Sequence, residues 1–244
     1  MNILVTAGNT LAMIDRVRCI TNIFSGRTGA QIAKEAWTRG HHVRLLTSHP
    51  EILLQLPGDV PSNAHWSIQS YRSFEDLREA LRNNIQFDTW NAVIHCAAVS
   101  DYLAAGIYSS EGGEFLARPG GIASSGPVTM VDRAADKIKS GDAELWLRLV
   151  RAPKLVDLIR TDWQFNGILV KFKLEAGIDE SELIERAEHS RLRSHADLMV
   201  ANTLEGRNEW ALLGAGNYER VGRGQLPGRL LAEVEKLAET PVED

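Results

Sequence analysis

Short apolar runs alternate with stretches of helical periodicity along this chain. "NILVTAG" (2–8), "HVRLLTS" (42–48) and "NAVIHCAAV" (91–99) read as strands, the last a continuous apolar run of the kind covered on both faces. Between them, "GAQIAKEAWTRG" (29–40) gathers Ile32, Ala33, Ala36 and Trp37 on one face and stops at Gly40. "SFEDLREALRNNI" (73–85) is amphipathic, with Ser73 as its cap and Asp76 three residues on. This β-α-β-α-β order predicts an α/β fold, a Rossmann-like open and mostly parallel sheet with helices on both faces.

From Ser100 to Val128 the pattern dissolves among glycines, serines and two prolines, which predicts a long glycine-rich lid loop, an insert at about 100–136. Order returns with strands at 144–150, 167–175, 196–203 and 209–214, and with helices at 152–162, 179–194 and near 227–239. No linker separates two domains, so residues 1–244 are expected to form one nucleotide-binding α/β domain.

A net charge of −5 argues against a general nucleic-acid binder while leaving room for a local basic pocket. Two cysteines, Cys19 and Cys96, are too few for a disulfide framework, and Cys96 sits in an apolar run as an expected core thiol. No window approaches a membrane span and no charged region precedes the first apolar stretch, so a cytoplasmic protein without membrane attachment is expected. The seven histidines show no metal-binding helical spacing, and no G-x-S-x-G elbow is present. An NAD(P)-dependent oxidoreductase is the rival class for such a fold. The first strand, however, lacks G-x-G-x-x-G, and the second ends in "TSHPE" with no acid at its tip for a ribose hydroxyl.

In an open parallel sheet, ligands bind beyond the carboxyl ends of the strands. Three such ends carry suitable polar residues: "TAGNT", "CAAVSDY" (96–102) and "VANT" (200–203). Behind the first lies a detour, "DRVRCITNIFSGRTGAQIAKEAW" (15–37), before any helical pattern begins. Its "SGRTGA" lets backbone N–H groups approach an anion at a helix start, and Arg18 and Arg27 add forked donors for phosphate or carboxylate. From spacing alone, a structural turn with solvated arginines is an equal reading.

The ordered set of these motifs resembles phosphopantothenate–cysteine ligases, in a stand-alone form. It comprises "ILVTAGNT…ID.VR.ITN..SG..G" (3–29), "VIHCAAVSDY" (93–102), "KIKS" (137–140), "LVRAPKLVDLI" (149–159), "VKFKLE" (170–175) and "ADLMVANT" (196–203). The resemblance implies a two-step ligation in coenzyme A biosynthesis. A nucleoside triphosphate with Mg²⁺, CTP ahead of ATP, activates the carboxylate of phosphopantothenate, and the amine of cysteine attacks the acyl-nucleotide. By position, Asn22 matches the asparagine that holds the acyl-nucleotide and Lys137 the lysine that contacts the triphosphate, the two catalytic assignments. Arg18, with Ser25, Gly26 and Arg27, falls on the acyl-substrate side. Gly8, Thr10, Ala97, Ala98 and Asp101 match the nucleotide side, and Phe172 and Asn202 positions near base and ribose. No protein metal ligands are implied, and the family forms homodimers.

The chain departs from the family pattern in places. "AGNT" has Asn9 where a glycine is common, "NIFSG" stands for N-H-S-S-G, no Glu precedes "ID", and "HSRLRS" offers Arg191 and Arg193 without lysine. The exact acid and the nucleotide therefore stay open, as does a paralogue that ligates another carboxylate or only binds nucleotide.

Overall fold

The computed structural model describes residues 1–138 and 141–239. In chain order it opens with β1 (Asn2–Ala7), β2 (Leu11–Met13), β3 (Cys19–Thr21), α1 (Arg27–Thr38), β4 (His42–Thr47), a 3₁₀ segment (Pro50–Gln55), β5 (Trp66–Ser70), α2 (Phe74–Phe87) and β6 (Ala92–His95). Then come β7 (Tyr102–Gly112), β8 (Phe115–Arg118), β9 (Gly121–Ser124), β10 (Val128–Asp132) and β11 (Trp146–Arg151). It closes with α3 (Leu155–Thr161), β12 (Ile168–Glu175), α4 (Glu180–Arg193), β13 (Leu198–Thr203), β14 (Trp210–Ala215), β15 (Asn217–Gly222) and α5 (Leu226–Glu239).

These elements divide into two compact units, where the sequence was read as one domain with an insert. The first comprises Met1–Thr10, Ile23–Val99 and Lys154–Asp244, the second Leu11–Asn22 and Ser100–Pro153.

The first unit is an eight-stranded sheet in the order β15-β14-β13-β12-β6-β1-β4-β5. Its six strands from β13 to β5 are parallel, while β14 and β15 return antiparallel. The sheet is therefore mixed and mostly parallel. Alternation along each strand assigns its faces. Ile3, Val5 and Ala7 of β1 join Ile94, Val170 and Val200 in one core with Ala30, Ile32 and Ala33 of α1 and Leu230, Leu231 and Val234 of α5. Met199 and Ala201, one position out of step with Val200, pack instead with Leu183 and Ala187 of α4. Helices thus cover both faces.

Local chemistry explains why the helices start where they do. Ser73 and Asp76 form a reciprocal capping box at α2, as its sequence predicts. The Asp179 side chain accepts the Glu182 N–H at the start of α4. Helix α1 starts differently: its N-cap is Gly26, left-handed at φ 80°, with no side-chain cap. A Cβ at Gly26 would lie 2.6 Å from Gly8 Cα and 2.9 Å from the Ala7 carbonyl carbon, and one at Gly29 would lie 2.7 Å from Ala7 Cβ. Glycine is needed here because the helix start touches the backbone at the end of β1.

The second unit corrects the expected loop. Between residues 100 and 136 the chain forms β7 to β10, with β10-β7-β11 as a three-stranded antiparallel sheet and β8–β9 as a hairpin. Strand β11, expected in the same α/β series, pairs antiparallel with β7. An antiparallel sheet with a solvated face needs few apolar residues: in β7 only Ile107 and Ser109 are buried, so no apolar run announces it. The detour contributes a further hairpin, β2–β3. Its turn is organised by Asp15, whose buried carboxylate accepts the N–H groups of Val17 and Arg18 and pairs with the Arg18 guanidinium at 2.6 Å. Those contacts, led by Arg18, hold the Asp15 carboxyl well below the usual carboxylate range.

The close approach at α1 predicts unequal costs for two left-handed glycines. Gly40 has φ 85° with nothing within 4 Å of a built Cβ. Gly40→Ala is expected to cost ~1 kcal/mol in urea unfolding, and Gly26→Ala roughly 2–4 kcal/mol because overpacking adds to the backbone term. Equal losses would mean that the contact between α1 and β1 contributes nothing.

Candidate functional site

A cavity of about 490 Å³ opens in the first unit at the carboxyl ends of its central strands. Gly8 follows β1, Cys96, Ala97 and Ala98 follow β6, Phe172 to Leu174 belong to β12, and Asn202 to β13. The start of α1 supplies Ser25 to Thr28 and Gln31, with Phe24 just before it. This is where an open α/β sheet binds its ligand.

Backbone contacts fix the cavity floor. The Ala98 N–H donates to the Gly8 carbonyl at 2.8 Å, and Asn9 forms a parallel bridge with Ala98, so β1 and β6 stay joined past their regular ends. The Ala97 N–H donates to Thr6 Oγ1 at 3.1 Å, and Thr6 Oγ1 lies 3.0 Å from His95 Nδ1. Burial, with Lys171 adding to it, pushes the His95 imidazole down to about 4.

Lys171 is paired with His95 across the β12–β6 register. Its ammonium donates to the Ser190 carbonyl at 2.9 Å and to Ser194 Oγ, with the Asp157 carboxylate at 3.9 Å. Burial pushes it down to about 8. Both residues alternate with Ile94 and Val170 of the α1-side core, so they face α4 and not the cavity. They hold the strand ends from behind.

Among the described residues, the cavity lining is cationic and includes no acid: Arg27, Lys173, Arg207 and Arg223 contribute to it. Lys173 pairs with Glu175 at 2.7 Å. Arg207 donates to the Leu204 carbonyl at 2.5 Å, and Arg223 donates to Thr28 Oγ1. Burial lowers the Arg223 pKa. A chain of net charge −5 thus concentrates positive charge at one strand edge.

Of the residues singled out in the sequence, Gly8, Ser25, Gly26, Arg27, Ala97, Ala98, Phe172 and Asn202 come together in this cavity. Thr10 is buried in the first unit without lining it. Arg18, Asn22, Asp101 and Lys137 belong to the second unit. There, the Arg18 guanidinium reaches the Ile138 carbonyl at 2.9 Å, and Ile138 N–H donates to Asp15 at 3.2 Å. Lys137 is thereby exposed beside an anchored residue; positions 139 and 140 of its motif lie outside the described residues. Asn22 is half-buried, and the Asp101 carbonyl accepts the Ala152 N–H at 2.9 Å.

Sequence reading missed Arg207 and Arg223, which lie in "EGRN" and "GRGQ". The available signal was an arginine flanked by glycine just past a strand end. Cys96, expected in the core, instead lines the cavity, and burial pushes its thiol up to about 12. Among the described residues, no helix is long and apolar enough to cross a membrane.

The family model of the DNA/pantothenate metabolism flavoprotein C-terminal domain matches residues 1–110 and 125–217. The bifunctional coenzyme A biosynthesis protein CoaBC of Thermococcus kodakarensis is 33% identical over 242 residues, covering 96% of this chain and 51% of that protein. Phosphopantothenate–cysteine ligase 1 of rice (Oryza sativa subsp. japonica) is 26% identical over 241 residues, covering 86% of this chain and 70% of that one. The chain spans about half the length of the bifunctional relatives it matches. Among solved structures, the DNA/pantothenate metabolism flavoprotein of Streptococcus pneumoniae superposes with a TM-score of 0.75 at 24% identity, over 97% of this chain and 99% of that one; the likeness speaks to fold alone.

The His95–Thr6–Ala97 relay predicts a pH dependence. Because the folded-state pKa of His95 lies below the unfolded value near 6.5, its contribution is complete above about pH 6.5 and is lost as pH falls toward 4. Wild-type protein is expected to lose on the order of 1–3 kcal/mol more than His95→Asn across that window in urea unfolding. Parallel profiles would remove His95 from the account.

Proposed function

The chain belongs to the family of the DNA/pantothenate metabolism flavoprotein C-terminal domain, and on that premise we propose that it is a phosphopantothenate–cysteine ligase domain of coenzyme A biosynthesis. The observation that carries the reading is the cavity with a cationic lining at the carboxyl ends of β1, β6, β12 and β13, sized for a nucleotide. The nucleotide is CTP ahead of ATP.

The reaction has two steps. A carboxylate oxygen of phosphopantothenate attacks the α-phosphorus of the nucleotide, and pyrophosphate leaves with the electron pair of the broken P–O bond. The cysteine amine then attacks the acyl carbon, an amide forms, and the nucleoside monophosphate departs. Both steps bring anions together, so fixed cations and amide donors lower the barrier. Arg27 and the α1 amides, flanked by Ser25 and Gly26, contribute anion contacts in this scheme. Gly8, Ala97 and Ala98 let the nucleotide approach backbone, and Phe172 and Asn202 meet its base and ribose.

Asn22 donates to the developing acyl oxyanion while remaining neutral, Arg18 faces the acyl substrate, and Lys137 meets the triphosphate; Thr10 and Asp101 complete the nucleotide side. Mg²⁺ enters this scheme with the nucleotide, whose phosphate oxygens would hold it. It supplies neutralisation of phosphate charge. The proposal includes a homodimer.

Pyrophosphate release should require phosphopantothenate, and amide should form once cysteine is added, with CTP giving the faster turnover than ATP. Asn22→Asp is expected to lower amide formation ~100-fold or more, since a carboxylate repels the oxyanion. Ligation by that variant at the wild-type rate would remove Asn22 from the mechanism. Binding of nucleotide without pyrophosphate release would favour the reading as a paralogue for another acid.

A further inference from the structure

Arg223 lies past residue 217, where the match to the family model ends. It is nevertheless one of the cations lining the cavity. Strand order explains its position. β14 reverses against β13 and β15 reverses against β14, so β15 runs in the direction of the parallel strands. Its carboxyl end, at Gly222, therefore arrives at the same edge as the ends of β6, β12 and β13, and Arg223 is the next residue.

The guanidinium is held by a neutral group. It donates to Thr28 Oγ1 in the first turn of α1, and among the described residues no carboxylate pairs with it. The Cys96 thiol also acts on it, and burial keeps that thiol protonated. A partly desolvated cation without a counter-ion is destabilising in the empty protein. Such a charge is useful where a ligand brings the missing anion, because guanidinium presents several donors in a fixed fork that suits phosphate oxygens. Thr28 occupies part of that fork and leaves the other donors for the cavity. Arg207, on the β13–β14 loop, likewise donates to a carbonyl, that of Leu204. Two arginines tethered by neutral oxygens thus border one cavity in which, among the described residues, no acid takes part.

We propose that Arg223, supported by Arg207, binds the phosphate chain of the nucleotide and makes the cavity selective for nucleoside polyphosphates over nucleosides. Thr28 is a positioning residue that aims the guanidinium. This rests on the nucleotide reading above and adds to it a residue that the family match does not reach.

The test is calorimetric titration of the intact chain with CTP and with cytidine, each with Mg²⁺, repeated with ATP and adenosine. Arg223→Met keeps the apolar stem and removes the charge. It is expected to weaken triphosphate binding at least 10-fold and to leave nucleoside binding within twofold. Arg223→Lys, which keeps the charge without the fork, should fall between, and it provides the reading if the methionine variant does not fold. Thr28→Val should reduce the preference for triphosphate over nucleoside by a smaller factor. Triphosphate binding by Arg223→Met within twofold of a wild type that binds it tightly would overturn the inference alone. Equal weakening of nucleoside and triphosphate would also overturn it, since that marks a structural role. A wild type that binds triphosphate no better than nucleoside would overturn the nucleotide reading and this inference together.

Discussion

The contact on which the first unit depends is the seating of α1 against the end of β1. Gly26 and Gly29 let the two backbones meet where a Cβ would run into Gly8 or Ala7. That approach places the first turn of α1 over the ends of β1 and β6 and gives the cavity its wall. It also explains why α1 has no side-chain cap: a capping side chain would need the room that Gly8 occupies. Residues behind the sheet serve the same edge. Thr6 holds the Ala97 amide and is itself held by His95, while Lys171 is fixed from α4, so the floor is braced by groups that never reach the cavity.

Electrostatics at this edge run against the chain as a whole. The protein carries an excess of acids, but many are engaged elsewhere: Glu188 with Arg191 and Tyr218, Asp197 with Arg160, Glu235 with Arg39 and His41. Among the described residues, every charged side chain that lines the cavity is a cation. Concentrating one sign of charge in a low-dielectric recess focuses the field there, which suits an anionic ligand.

The second unit follows different physics. Its sheet is antiparallel, its strands are glycine- and serine-rich, and much of its apolar surface is exposed, with Ile122, Leu116, Met130 and Leu149 all more than a third accessible. What organises its β2–β3 turn is a buried carboxylate, not a hydrophobic cluster. Asp15 gathers two amides of its own hairpin, the Arg18 guanidinium and the Ile138 amide. An aspartate three residues before an arginine is an ordinary surface pair in sequence. Only the fold brings Ile138, 123 residues away, to the same carboxylate.

The sequence by itself determined the elements of the first unit. Apolar runs and helical periodicity marked β1, α1, β4, α2, β6, α3, β12, α4, β13, β14 and α5 to within a few residues, because strands covered on both faces and amphipathic helices print their burial into local composition. It also indicated that Gly8, Gly26, Ala97, Ala98 and Asn202 belong at one edge, since they lie at strand ends or open a helix, while Phe172 was assigned there by the family resemblance alone. Tertiary structure alone decided the rest. Strands β5, β15 and β7 to β10 left little trace, because a strand at a sheet edge or with a solvated face needs few apolar residues, whereas β11 was legible as a strand and only its antiparallel partner was not. The reversal at β14 and β15 is set by which strands pair, a choice written in no local pattern, and it is that reversal which delivers Arg223 to the cavity.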